Sequence, residues 1–93
     1  MICIDIGQRA GGGFVVALDG DGYSTRHEVG VPPDLAARLG LAGERVEALV
    51  RLSFEFLLER EPPTSILSRF DLDVIGRHFP GYESELADRL GRL

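Results

Sequence analysis

The sequence predicts an α+β fold: a three-stranded antiparallel meander packed against one long helix, with a C-terminal tail of short helices. Three observations carry that reading. Residues 1–31 hold apolar runs of strand period separated by glycine-rich punctuation. Residues 44–60 hold the one long stretch of helical periodicity, and residues 62–93 hold short apolar clusters broken by proline and glycine. The 93 residues are expected to form one domain, with the meander at 1–31, a helical layer at 32–61 and the tail at 62–93.

Ile2, Ile4 and Ile6 alternate with Cys3 and Asp5, the period of a half-buried strand. Residues 7–13 read as a loop and residues 14–18 as a second strand. Asp19-Gly20-Asp21-Gly22 is a hairpin signal, because Asp-Gly tolerates the positive φ angles of tight turns. Residues 23–31 form the third strand, with Tyr23, Thr25, His27, Val29 and Val31 on one face and Ser24, Arg26 and Glu28 on the other.

Pro32-Pro33 ends that strand, a short helix follows at residues 34–39, and Gly40 is placed to stop it. In helix 44–60, Val46, Leu49, Val50, Leu52, Ser53, Phe54, Phe56 and Leu57 lie within an arc of roughly 200° at the helical angular step. A surface helix needs a narrower stripe against one layer. One side of this helix is therefore expected on the sheet, and the other against the tail or a second subunit. Pro62-Pro63 closes it, and residues 64–70, 71–79 and 82–90 read as three short helical pieces. Each is too short to hold alone, so they must dock, through residues that include Ile66, Leu67, Phe70 and Leu86.

Composition narrows the function. Net charge is −5, distributed as −2 over residues 1–32, −2 over 33–61 and −1 over 62–93. Affinity for nucleic acid or anionic membranes comes largely from basic clusters, and the linear sequence shows none. No apolar run approaches the ~20 residues that span a bilayer. A single cysteine, Cys3, forms no internal disulfide, and the N-terminus lacks the pattern of a secretory signal, so the expectation is a cytoplasmic chain. All ten basic residues are arginine and asparagine is absent, which the genetic code ties to a high-GC bacterial genome.

Candidate chemistry is sparse. The glycines of GQRAGGG follow a strand, but no lysine accompanies them and a strand, not a helix, comes next; a hairpin loop accounts for them better than a phosphate cradle. His27, His78 and Cys3 lie at no metal-ligand spacing, and no cofactor or metal is expected. Glu83 and Glu85 open the last helix and Arg89 closes it, the placement its dipole favours. Residues 68–90 have the outline of a helix-turn-helix. The helix that would read DNA is YESELADRL, acidic where it should meet phosphate, so packing explains the segment better than base readout.

Two stretches carry resemblances. Val31-Pro32, Leu35, Leu39-Gly40-Leu41 and Gly43-Glu44, within residues 29–49, resemble the middle of AbrB-type swapped-hairpin transcription factors; the likeness ends where that family has a strand and this chain has helix 44–60. Glu61-Pro62, Ser65-Ile66-Leu67, Phe70-Asp71-Leu72, Ile75, Phe79-Pro80 and Tyr82-Glu83 resemble the C-terminal half of a group of small bacterial proteins of unknown function. The order of strands and then helix is also similar to HicB-type antitoxins in architecture alone.

These readings predict a small non-catalytic intracellular interaction protein, a homodimer or the partner of another protein, with neither nucleic acid nor membrane as its target. Its expected surface is Phe70, Leu72, Ile75, Phe79 and Tyr82 of the tail with Phe54 and Leu58 of the long helix. The competing reading places all seven in the core of a chain this short. An alternative from another class is a nucleic-acid-binding regulator or antitoxin with AbrB-like or HicB-like ancestry, which requires a hidden arginine cluster such as Arg38, Arg45 and Arg77 converging in a dimer. A small enzyme centred on His27 or His78 stands third.

Overall fold

The computed structural model describes residues 2–91. It is α+β, but its sheet has four strands rather than three, in the order β1-β2-β3-β4. Strand β1 (Cys3–Gln8) pairs antiparallel with β2 (Phe14–Gly20), and β2 pairs antiparallel with β3 (Tyr23–Gly30). The three antiparallel strands are thus present, with β2 and β3 starting where expected and the other boundaries displaced by one or two residues. The turn between β2 and β3 is Asp21-Gly22, and only Gly22 has positive φ, at 84°. That is the pattern of a type II turn, not the type I′ that needs both central residues left-handed.

The fourth strand was hidden. Residues 64–70 read as a helical piece, yet only Pro63–Ser65 form a 3₁₀ turn, and β4 (Arg69–Asp71) adds parallel to β3. Glu28 N–H donates to Ser68 O at 2.8 Å and Leu72 N–H to Gly30 O at 3.0 Å, bracketing the short ladder. The register sets Val29 beside Phe70 on the core side and Glu28 beside Arg69 on the opposite face.

Alternation along the strands defines the layers. Phe14, Val16, Leu18, His27 and Val29 are buried on one face, while Cys3, Asp5, Asp19, Ser24, Arg26 and Arg69 are exposed on the other. The helices cover the buried face. Helix α1 (Pro33–Arg38) ends in a Schellman motif: Leu41 N–H reaches Ala36 O at 2.9 Å, Gly40 N–H reaches Ala37 O at 3.1 Å, and Gly40 has φ of 68°. The buried pair Leu35 and Leu41 supplies the apolar contact usual to that motif.

Helix α2 (Glu44–Leu58) is the centre of the molecule. Phe54 turns to the sheet, its ring 5.5 Å from His27 and 6.0 Å from Phe70. Phe56 turns the other way, edge-on to Phe79 at 5.9 Å and to Tyr82 at 5.5 Å. Both sides of the wide arc are therefore covered within the chain. Beyond the last turn, Arg60 lies 3.7 Å over the Phe56 ring and donates to Phe56 O at 3.0 Å, a cation at the negative helix end.

Helix α3 (Asp73–His78) and helix α4 (Tyr82–Leu90) complete the layer. Tyr82, Leu86 and Leu90, one helical turn apart, are all buried against α2 and its surroundings. Arg89 clamps the end of α4 to Glu59 at 2.8 Å, and Arg38 ties α1 to Glu83 at 3.0 Å. The Arg89 guanidinium holds the Glu59 carboxyl below the usual carboxylate range. Among the described residues no helix is long and apolar enough to cross a membrane.

One buried polar chain crosses this core. Ser53 Oγ donates to Leu49 O at 2.7 Å, so the 2.7 Å contact between Ser53 and Tyr82 has the tyrosine O–H as donor. Burial pushes the Tyr82 phenol up to about 12, because the phenolate would lose its water. A pKa raised in the folded state is a contribution present below the unfolded value and lost as pH rises through the folded one. Native stability is therefore expected to fall between about pH 10 and 12, by about 2–3 kcal/mol from this group. Urea unfolding should show this loss in the native chain. Tyr82→Phe, weaker by about 1 kcal/mol at neutral pH, should lack it; an unchanged alkaline profile in the variant would contradict the assignment.

Candidate protein-interaction cleft

The tail leaves one apolar depression uncovered, and its walls come from four elements. Leu57 and Glu61 at the end of α2 form one side, and Ser65, Ile66 and Leu67 form the next. Phe70 of β4 forms the back, and Val74, Ile75 and His78 of α3 close the cleft with Phe79. Its volume is about 260 Å³, below the usual range for small-molecule sites, roughly 300–1,000 Å³. Beside it stands Leu67, 58% exposed, the most exposed large apolar side chain described. Glu61 and His78 supply the polar margin.

The cleft exists because β4 is short and the chain enters it extended. Ile66 has φ −80° and ψ 134°, so its side chain and that of Leu67 point to opposite sides. Ile66 is buried; Leu67 is turned outward. His27 fixes this segment from behind. Its Nδ1 lies 2.7 Å from Leu67 O and its Nε2 lies 3.0 Å from Thr25 Oγ1. A carbonyl only accepts, so Nδ1 carries a proton, and Nε2 of the neutral ring accepts from the threonine hydroxyl.

The seven residues expected to present a surface divide. Phe54, Leu72, Ile75 and Tyr82 are core, between 0% and 3% exposed, because α2 and the tail cover each other. Ile75 reaches only the floor of the cleft. Phe70 and Phe79 are half-buried and line it, while Leu58 is half-buried and lies away from it. Leu57, Ile66, Leu67 and Val74 complete the site, and Ile66 and Leu67 had the spacing of docking residues without any sign of which faced out.

The arginines named as a possible cluster each have a partner within the chain. Within one chain Arg38 pairs with Glu83, Arg77 with Asp73 at 3.6 Å, and Arg45 reaches Leu90 O. The basic residues that do meet are Arg9 and Arg69, which hold Glu28 at 3.3 and 2.7 Å on the open sheet face. Arg69, with Arg9 and Arg26 behind it, holds the Glu28 carboxyl below the usual range. The glycine loop before β2 closes on itself, Arg9 N–H to Gly13 O at 3.0 Å, and leads into a strand. Among the described residues there is no group of three or more His, Cys, Asp or Glu placed to hold a metal.

Comparison with protein-family models, with curated proteins and with solved structures returned no significant match, so the functional reading rests on this geometry.

Two substitutions separate the wall of the cleft from its floor. Leu67→Ala should change stability by less than about 0.5 kcal/mol, whereas Ile75→Ala should cost about 2–5 kcal/mol; denaturant unfolding measures both. His27→Leu should leave the Leu67 carbonyl without a donor, at a cost of about 1–3 kcal/mol. Hydrogen exchange at the Glu28 and Leu72 amides, which hold β4, should accelerate with it.

Proposed function

We propose that this chain is a non-catalytic intracellular interaction module that seats an apolar segment of a partner protein in the cleft between α2, β4 and α3. One observation carries the reading: Leu67 stands exposed at the margin of an apolar depression whose other walls, Phe70 and Phe79, are half-covered. A binding surface of this kind combines an aromatic-lined apolar centre with a polar rim, here Glu61 and His78. The dimensions suit one or two side chains of a partner better than a metabolite.

The chemistry of the histidines supports a role without catalysis. Both ring nitrogens of His27 are committed to structural hydrogen bonds behind the cleft. The nucleic-acid alternative has less support, because the arginines of the open sheet face converge on Glu28 and the chain carries −5 overall.

Affinity capture with the tagged full chain and with Leu67→Asp, from a lysate at moderate salt, tests the reading. A stoichiometric protein captured by the native chain and lost by the folded variant is the expected result. Nucleic acid that elutes with salt, with Leu67→Asp behaving as the native chain, would replace the module with a regulator.

A further inference from the structure

Strand β1 is the outer strand of the sheet along its full six residues. Arg9 N–H donates to Gly13 O in the register that joins β1 to β2. Alternate amides of a strand point the same way, so those of Cys3, Asp5 and Gly7 face β2, and the N–H and C=O groups of Ile4 and Ile6 face outward. Edge strands are commonly guarded by lysine, proline or a bulge. This one has no lysine or proline, its pairing to β2 runs without a break, and its single charge is Asp5.

Apolar surface accompanies the free backbone groups. Ile4 and Ile6 lie on the core face of the sheet yet are only half-buried, because the helical layer does not extend past the edge. Ile2, next in the same row, is 38% exposed. Hydrogen-bonding groups and a row of three isoleucines are thus presented along one line.

We propose that a second copy of this chain pairs antiparallel along β1, two-fold symmetric about Ile4, to form a continuous eight-stranded sheet. The charge and the isoleucines select that register. Pairing centred on Asp5 sets two carboxylates directly opposite each other, which is destabilising. Pairing centred on Cys3 or on Ile6 leaves one isoleucine of each chain beyond the paired segment. Centring on Ile4 sets Ile2 opposite Ile6, Ile4 opposite Ile4 and Asp5 opposite Cys3. All six isoleucines then form one ladder on the helical side, and their outward N–H and C=O groups satisfy one another.

A single strand pair with its ladder falls at the low end of specific interfaces, below roughly 1,200 Å² in total. The dimer is accordingly weak, with a dissociation constant on the order of micromolar. Each copy carries −5, so added salt should tighten the dimer by screening the repulsion. The interface uses no residue of the cleft, and the two readings stand or fall separately.

Sedimentation of the full chain from about 1 µM to about 1 mM spans that range. The expected result is a shift from monomer to dimer with concentration, weakened at least about tenfold by Ile2→Arg and unaffected by Leu67→Asp. Asp5→Cys then reads the register. Facing residues of this non-hydrogen-bonded pair have the spacing a disulfide needs, so mild oxidation should link position 5 of one copy to Cys3 of the other. A chain that stays monomeric throughout, a dimer insensitive to Ile2→Arg, or a dimer lost with Leu67→Asp instead would overturn the proposal. A linkage only between like positions would overturn its register.

Discussion

The structure depends on one helix being used twice. Phe54 and Phe56 are two residues apart and point to opposite sides of α2, one into the sheet and one into the tail. A chain of this length has too little interior to give each layer its own core. Placing α2 between the sheet and the last two helices lets a single apolar arc serve both. Ser53 lies on the same arc, and its bond with Tyr82 satisfies the one phenol the arrangement buries. Arg60 and the Arg89–Glu59 pair then secure the end of α2, where the cleft begins.

What the sequence showed was what local chemistry determines. The alternation at Ile2, Ile4 and Ile6, the Asp-Gly turn, Gly40 as a helix stop and the placement of Glu83, Glu85 and Arg89 along the last helix each encode their element within a few residues. Strand β4 was not legible, because three residues carry no period and their pairing with β3 spans about forty residues of chain. The arc of α2 could be counted from the sequence, but which neighbour covered each side could not. The sequence therefore left Phe54, Leu72, Ile75 and Tyr82 between surface and core, and they are core, while Leu67 read as docking and is exposed.

With α2 covered on both sides, apolar surface among the described residues includes the cleft beside Leu67 and the β1 edge, which differ in kind. The cleft beside Leu67 is concave, lined by side chains and backed by a histidine whose hydrogen bonds hold its wall. The β1 edge is linear, and offers backbone groups with a row of isoleucines. A concave apolar site suits a side chain that inserts, and an edge suits another strand. Arginine–carboxylate pairs join α1 to α4, the end of α2 to α4 and β3 to β4.

The central claim is that α2 buries both of its sides within one chain. Isotope-filtered NMR on a mixed sample of labelled and unlabelled protein tests it most directly. Ring-proton contacts of Phe54 with His27 and of Phe56 with Tyr82 are expected only within one copy, at any concentration. The same contacts appearing between labelled and unlabelled copies would contradict it, and would make the tail an element exchanged between subunits.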